Sequence, residues 1–364
     1  MILTWSRRLA FLAASVLLSL YVFLAWVGLD ASLRVRHGSL NETRRASFEG
    51  MVYGDAYKPY VRRTLLPTTI RLVAAACPTG CREPLEKAIL RRPVPRLIAQ
   101  LGWEQQLLLE YLVALVLIYG CLLGFVFALR DLFADLFATG GLVRDVAPLA
   151  ALLLLPFISG EYHHWGEYGH YVYDFSTLFL FTLGLRLLAG ARWTAFLFVY
   201  FVACLNKETT ILLTLVFVVH HARAATMPRS RFWRLLALQL GLFAIVQLAL
   251  AFAFRRNRGE AVEFHLLDHN LALFRPLPMV ALSFCLVLGL LVALHWRRKP
   301  RFLRDALWIL APLLVLTLLL GYLDELRDYY EAFPVVFLLV FQSVASLLGV
   351  RIESRAQADE TSHP

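Results

Sequence analysis

The chain has 364 residues, a formal net charge of +10, 59% hydrophobic residues and only 17% charged ones. Soluble domains are roughly 45–50% apolar and 25% charged, so composition excludes an ordinary soluble domain and points to a polytopic membrane protein. The arginine surplus fits loops that flank membrane spans on their inner side, and no nucleic-acid partner is expected.

In chain order, the first element is the apolar run 9–29, behind Arg7 and Arg8. It exceeds a signal-peptide core of about 7–15 residues and has no small-x-small site after it, so it reads as a retained anchor. The polar block 30–104 follows. Within it, "YGDAYKPYVRRTLLP" (53–67) carries Asp55, Arg62 and Arg63. A carboxylate there can serve as a general base or hold a divalent cation. Arginine offers a planar fork for phosphate. The alternative is structural, with Asp55 capping a helix and the arginines resting on lipid headgroups. Cys77 and Cys81, in "CPTGC", would be free to form a local disulfide in an oxidising compartment. A lone CxxxC does not specify zinc.

A span is expected over 106–129, and another over 146–159 that can reach back into the amphipathic "RDLFADLFATGGLVRD". Next comes "GEYHHWGEYGHYVYD" (160–174), with His163, His164 and Asp174. Its aromatics suit a membrane interface and no histidine spacing is diagnostic of metal. Asp174 opens the apolar run 172–190 and is a natural cap for it. The run 193–219 is interrupted by Asn206, Lys207 and Glu208. Each costs roughly 2.5–3.5 kcal/mol at the centre of a membrane helix, which makes all three functional candidates. The bland alternative is that Lys207 and Glu208 neutralise each other, or that Glu208 caps the following helix. Further spans are expected over 232–254, 277–296, 305–323 and 332–350. Between them lie "EFHLLDHN" (263–270) and "GYLDELRDYYEAFP" (321–334), which holds Glu325 and Arg327.

Two topologies compete, and charge favours the second. A single crossing by 193–219 puts the basic loops 220–234 and 297–304 outside. Two short passes that turn at Asn206–Glu208 put both inside with most other arginines, as the positive-inside rule requires. Each arm is then only about 18 Å of helix and needs protein packing around it. "RRNR" (255–258) falls outside and breaks the rule. In this topology the first loop, 160–174, the Asn206–Glu208 turn, 263–270 and 324–331 all share one outer face. The expectation is thus an all-α polytopic membrane protein of about 9–10 transmembrane or re-entrant helices. It forms one domain over 1–364, with a first extracytoplasmic loop at 30–104 and a short cytoplasmic tail at 351–364.

Several short motifs lie in this frame: "RTLLP" from Arg63 to Pro67, "YDF" from Tyr173 to Phe175, "LNKET" from Leu205 to Thr209, and "ELRxxxExxP" from Glu325 to Pro334. With an early Asp in the first loop, they resemble bacterial membrane glycosyltransferases of the GT-C superfamily, some of which carry "NRET" where this chain has Lys207. The resemblance implies a helical outer loop and inverting transfer of a sugar from a polyprenyl-phosphate carrier to a glycan, lipid or protein acceptor. It implies a site facing the periplasm or exterior of a bacterial cytoplasmic membrane, and it makes Asp55 the matching essential acid. Asp55 and Glu208 would be the catalytic pair. Arg62, Arg63, His163, His164, Asp174, Asn206, Lys207, Glu325 and Arg327 would bind substrate. No resident metal is specified, although a divalent cation (Mg or Mn) beside Asp55 is compatible with this chemistry. The competing readings are a polysaccharide polymerase, a lipid or solute transporter or flippase, and a non-enzymatic membrane assembly protein.

Overall fold

The computed structural model describes residues 2–34, 40–41, 43–90, 94–159, 170–224, 227–260, 262–275 and 279–355. His163 and His164 lie outside them. The described chain is helical almost throughout. The elements are α1 (Ile2–Arg34), α2 (Phe48–Tyr53), α3 (Leu65–Ala76), α4 (Thr79–Leu90), α5 (Val94–Leu101), α6 (Leu108–Leu136), α7 (Gly141–Ser159), α8 (Asp174–Ala189), α9 (Trp193–Asn206), α10 (Ile211–Ala224), α11 (Arg229–Ala253), α12 (Met279–Ala293), α13 (Arg301–Ala306), α14 (Leu310–Leu320) and α15 (Phe333–Leu347). Two-residue strands β1 (Phe137–Ala138) and β2 (Glu353–Ser354) pair antiparallel.

The chain is an all-α polytopic membrane protein. Among the described residues, four helical stretches are long and apolar enough to cross a membrane: Phe11–Leu33, Gln105–Leu136, Arg229–Ala253 and Arg301–Leu320. The outward faces of α1, α11 and α12 expose Phe11, Val16, Phe23, Ile245, Leu248, Val280 and Leu286. Such apolar surface is stable against hydrocarbon and costly against water. The expected span 172–190 behaves differently. Nearly every residue of α8 is buried, from Asp174 to Leu188, so this helix is enclosed by protein. It packs on α6, α9, α10 and α15. The expected extension of 146–159 is also found, since α7 begins at Gly141, while Arg130–Leu136 belongs to α6.

The polar interruption at 206–208 reverses the chain. Tyr200 Oη lies 2.8 Å from Thr214 Oγ1, whereas fourteen residues of straight helix would span about 21 Å. Trp193 and His221, at the far ends of α9 and α10, bring their rings to 5.3 Å. The two arms therefore form a hairpin with Asn206–Thr210 at its tip.

A helix that ends among apolar neighbours leaves carbonyls that need donors. Here the Ala203 oxygen accepts from Thr210 Oγ1 at 2.9 Å, the Cys204 oxygen from Gln247 at 3.2 Å and the Leu205 oxygen from the Thr64 N–H at 2.9 Å. Lys207 is extended, with φ −156° and ψ 142°, and a single 3-10 turn, Glu208–Thr210, leads into α10.

Contacts sort the loops to two ends. Arg45 pairs with Glu263, Arg63 with Glu208, His269 with Asp324 and Arg327 with Asp174, which gathers the acidic clusters and the first loop at one end. His220 pairs with Asp305, Arg186 with Asp131, and β1 with β2 at the other, basic end. The exceptional "RRNR" turn lies at the acidic end for a structural reason. There the Arg258 carbonyl accepts from the Lys58 N–H at 2.9 Å, and Asn257 binds the backbone on both sides of Asp55.

Candidate functional site

Three ion pairs meet where the first loop covers the hairpin tip. The "RTLLP" turn brings Arg63 down onto Glu208, with Nη2–Oε1 at 2.7 Å and Nε–Oε2 at 3.4 Å. The same guanidinium donates to the Tyr173 hydroxyl and lies over the Tyr173 and Tyr60 rings, at 4.6 and 5.6 Å from their centroids. Burial alone would weaken the Arg63 charge, but Glu208 beside it holds the group well above its ordinary range. Burial also pushes Tyr60 up to about 12, so it stays a neutral hydroxyl. Arg63 has 12% of its side chain exposed and Glu208 44%. The pair is thus a wall with one open carboxylate edge.

Lys207 turns the other way. Its ammonium lies 3.3 Å from Glu331, which is fully buried and also accepts from Thr209 Oγ1. Lys207 and Glu208 therefore do not neutralise each other. The third pair is Arg327 with Glu325. Arg327 also lies 3.8 Å from Asp174 Oδ2 and 4.2 Å from the Tyr171 ring centroid. Asp174 accepts from the Tyr171 N–H at 2.8 Å, upstream of its own helix, and so serves the approach to α8 rather than capping it. Three cations face four carboxylates, all held by opposite charge or backbone.

Asn206 is spent inside the protein. Its amide donates to the Tyr173 carbonyl and Thr177 Oγ1, at 3.2 and 2.8 Å, and its oxygen accepts from Ser176 at 2.6 Å. It staples the hairpin tip to the start of α8. Arg63, Lys207, Glu208, Asp174, Glu325 and Arg327 are thus brought into one constellation, with Asn206 as its fastening.

Asp55 and Arg62 stand apart from that network. Asp55 is exposed. It follows the end of α2, where Gly54 takes φ +88°, a conformation that suits glycine. It is therefore no helix cap. The Gly54, Asp55 and Ala56 N–H groups converge on the Gly50 carbonyl at 2.7–2.9 Å. The Asn257 amide bridges the Gly54 and Ala56 carbonyls at 2.7 and 3.1 Å. The backbone on each side of Asp55 is thereby fixed while its carboxylate is left open. Among the described residues neither Asp55 nor Arg62 has an ion-pair partner, and Arg62 Nε is buried without a hydrogen bond.

Sequence reasoning did not select Glu331, Tyr173 or His170 as site residues. Glu331 and Tyr173 lie inside the quoted "ELRxxxExxP" and "YDF" motifs, so position could have found them. His170 is buried beside Asp174, with no hydrogen bond to either ring nitrogen. Cys77 is a free thiol, and the Cys81 side chain lies outside the described residues. Among the described residues no group of three or more His, Cys, Asp or Glu side chains is arranged to hold a metal ion, so no residue set is assigned to a cation. Compared with protein families, with curated proteins and with solved structures, the chain finds no match.

Proposed function

We propose that the chain is a membrane glycosyltransferase that moves a sugar from a polyprenyl-phosphate carrier to an acceptor at the acidic end of the molecule, taken as the non-cytoplasmic face. One observation carries the reading. A scaffold whose three cations are all matched by carboxylates presents two unpaired groups of opposite charge, Asp55 and Arg62, on one clamped loop beside the membrane helices. Fixed supports around open functional groups are what a reacting site needs.

In this reading Asp55 takes the proton from the acceptor hydroxyl as it attacks the anomeric carbon. The bond from that carbon to the carrier phosphate breaks, and Arg62 stabilises the departing phosphate. Arg63 and Arg327 are already matched by carboxylates and act as framework. The open edge of Glu208 is available to sugar hydroxyls. A bacterial cytoplasmic membrane and a lipid-linked donor belong to the same proposal.

The test is transfer in proteoliposomes with a panel of polyprenyl-phosphate sugars. Wild type is compared with Asp55→Asn and Arg62→Gln. Loss of transfer in both, with melting unchanged, supports the reading. No transfer by wild type with any donor rejects it.

A second reading, a cation- or proton-coupled transporter, is favoured by the charged hairpin tip and by two buried groups. Glu331 Oε2 and both His170 nitrogens have no hydrogen-bond partner, and buried ionisable groups in a membrane protein can mark ion pathways in transporters. Proton-coupled flux without sugar transfer in the same vesicles selects this reading.

A further inference from the structure

At the basic end lies a cavity of about 610 Å³ that the proposed reaction does not use. It sits between the end of α12, the turn Trp296–Arg298, the end of α15 and the returning segment 349–353. Its volume falls in the range usual for small-ligand sites, about 300–1,000 Å³.

The walls are one-sided in charge. Arg298, Lys299 and Arg351 line it with a single acidic side chain, Glu353. Among the described residues Arg298 and Arg351 have no carboxylate partner, and both are exposed enough to reorient. Lys299 is buried. Its ammonium donates to the Leu339 carbonyl at 2.5 Å, to Ser343 Oγ at 2.7 Å and to the Leu291 carbonyl at 3.4 Å. None of these is an anion, so burial pushes Lys299 down to about 8. A buried cation without a counter-charge is costly, and an anion in the adjoining cavity would supply one.

The cavity is also built. Gly349, at φ +77°, turns the chain after α15. Gln342 donates to the Arg298 and Ile352 carbonyls at 3.3 and 3.2 Å, and its own oxygen is buried without a partner. Pairing of Ala138 with Glu353 and of Phe137 with Ser354 holds the returning segment in place. Exposed Leu347 and Leu348 lie next to the rim.

We infer that this cavity binds a phosphate group, with Arg298 and Arg351 as its two guanidinium forks and Lys299 as the fixed charge behind them. Guanidinium pairs match phosphate oxygens two at a time. The phosphate can come from an anionic lipid headgroup at the membrane surface or from a free phosphate in solution.

Two arms separate the sources. In the first, full-length protein in nanodiscs of equal phosphatidylglycerol and phosphatidylcholine is released into the gas phase and its retained lipids are weighed. In the second, delipidated protein in neutral detergent is titrated with inorganic phosphate and followed by thermal shift. Wild type is expected to bind in one arm. The double variant R298Q/R351Q, of unchanged melting temperature, is expected to bind on the order of tenfold more weakly there. Glu353→Gln, which removes the carboxylate from the lining, is expected to bind more tightly. Binding in the first arm alone assigns a lipid, and binding in the second a soluble phosphate. No binding by wild type in either arm, or equal binding by wild type and R298Q/R351Q, overturns the inference.

Discussion

Lys207 and Glu208 are neighbours in the chain and turn to different partners, Lys207 to Glu331 at 3.3 Å and Glu208 to Arg63 at 2.7 Å. One residue ties the hairpin tip to the approach to the last helix, and the next ties it to the covering loop. Two adjacent opposite charges could have cancelled locally. Instead they join segments 124 and 145 positions away in sequence.

Removing the charge of Glu331 tests the first tie. Glu331→Gln leaves Lys207 buried without its counter-charge, at a cost of about 3–5 kcal/mol. The double variant Lys207→Met with Glu331→Leu is expected to recover most of that loss. Thermal unfolding in one detergent compares the three proteins. A Glu331→Gln protein that melts with wild type would show the pair to be idle.

The second tie is read by a double-mutant cycle on Arg63→Lys and Glu208→Gln. Lysine keeps the charge but loses the two-pronged contact and the flat face over Tyr173. A coupling of about 0.5–3 kcal/mol is expected for residues in direct contact. Additive effects would contradict the geometry.

Asn257 is expected to act on catalysis through Asp55. Under the transferase reading, Asp55→Asn lowers kcat by about 10²–10⁴. Asn257→Ala loosens the Asp55 backbone and lowers kcat by up to about a hundredfold, leaving KM for the donor nearly unchanged. A rise in KM alone would place Asn257 in binding instead.

The hairpin makes a topological prediction. In a cysteine-free background, Ala191→Cys and Ser230→Cys are both exposed positions flanking α9 and α10. A membrane-impermeant thiol reagent should label both from the same side of sealed vesicles. Labelling from opposite sides would mean that 193–219 crosses once.

Stability should depend on pH through Lys299. Its folded value of about 8 lies below its ordinary 10.5, so between these pH values the unfolded chain binds more protons than the folded one. Stability from this group therefore rises with pH across that window. Melting temperatures in phosphate-free buffer from pH 7.5 to 10.5 should show the rise, and Lys299→Met should flatten it. An equal slope in both proteins would assign the effect elsewhere.

Much of the architecture was legible because two strong rules act on single residues. Apolar runs marked the helices, and the arginine distribution favoured a chain that turns back at Asn206–Glu208 over one that crosses once. Partner choice was not legible. Glu331 and Asp328 look alike from the sequence, and only packing puts one opposite Lys207. Asp55 was legible as a candidate but not as an open group. The backbone around it is held by Asn257, some two hundred positions later, which donates to the carbonyls on either side. Asn206 looked like a ligand because a polar side chain in hydrocarbon demands a reason, and the start of α8 supplies one.

The Thr64–Leu205 hydrogen bond and the Arg63–Glu208 pair fasten the covering loop to the hairpin tip. They join the loop to a pair of helices, each of fourteen residues and about 21 Å long. The far ends of those helices meet where Trp193 touches His221. The covering loop is thus tied to one end of a hairpin whose other end closes at the basic end of the molecule, so one helical pair spans the distance between the two clusters of loops.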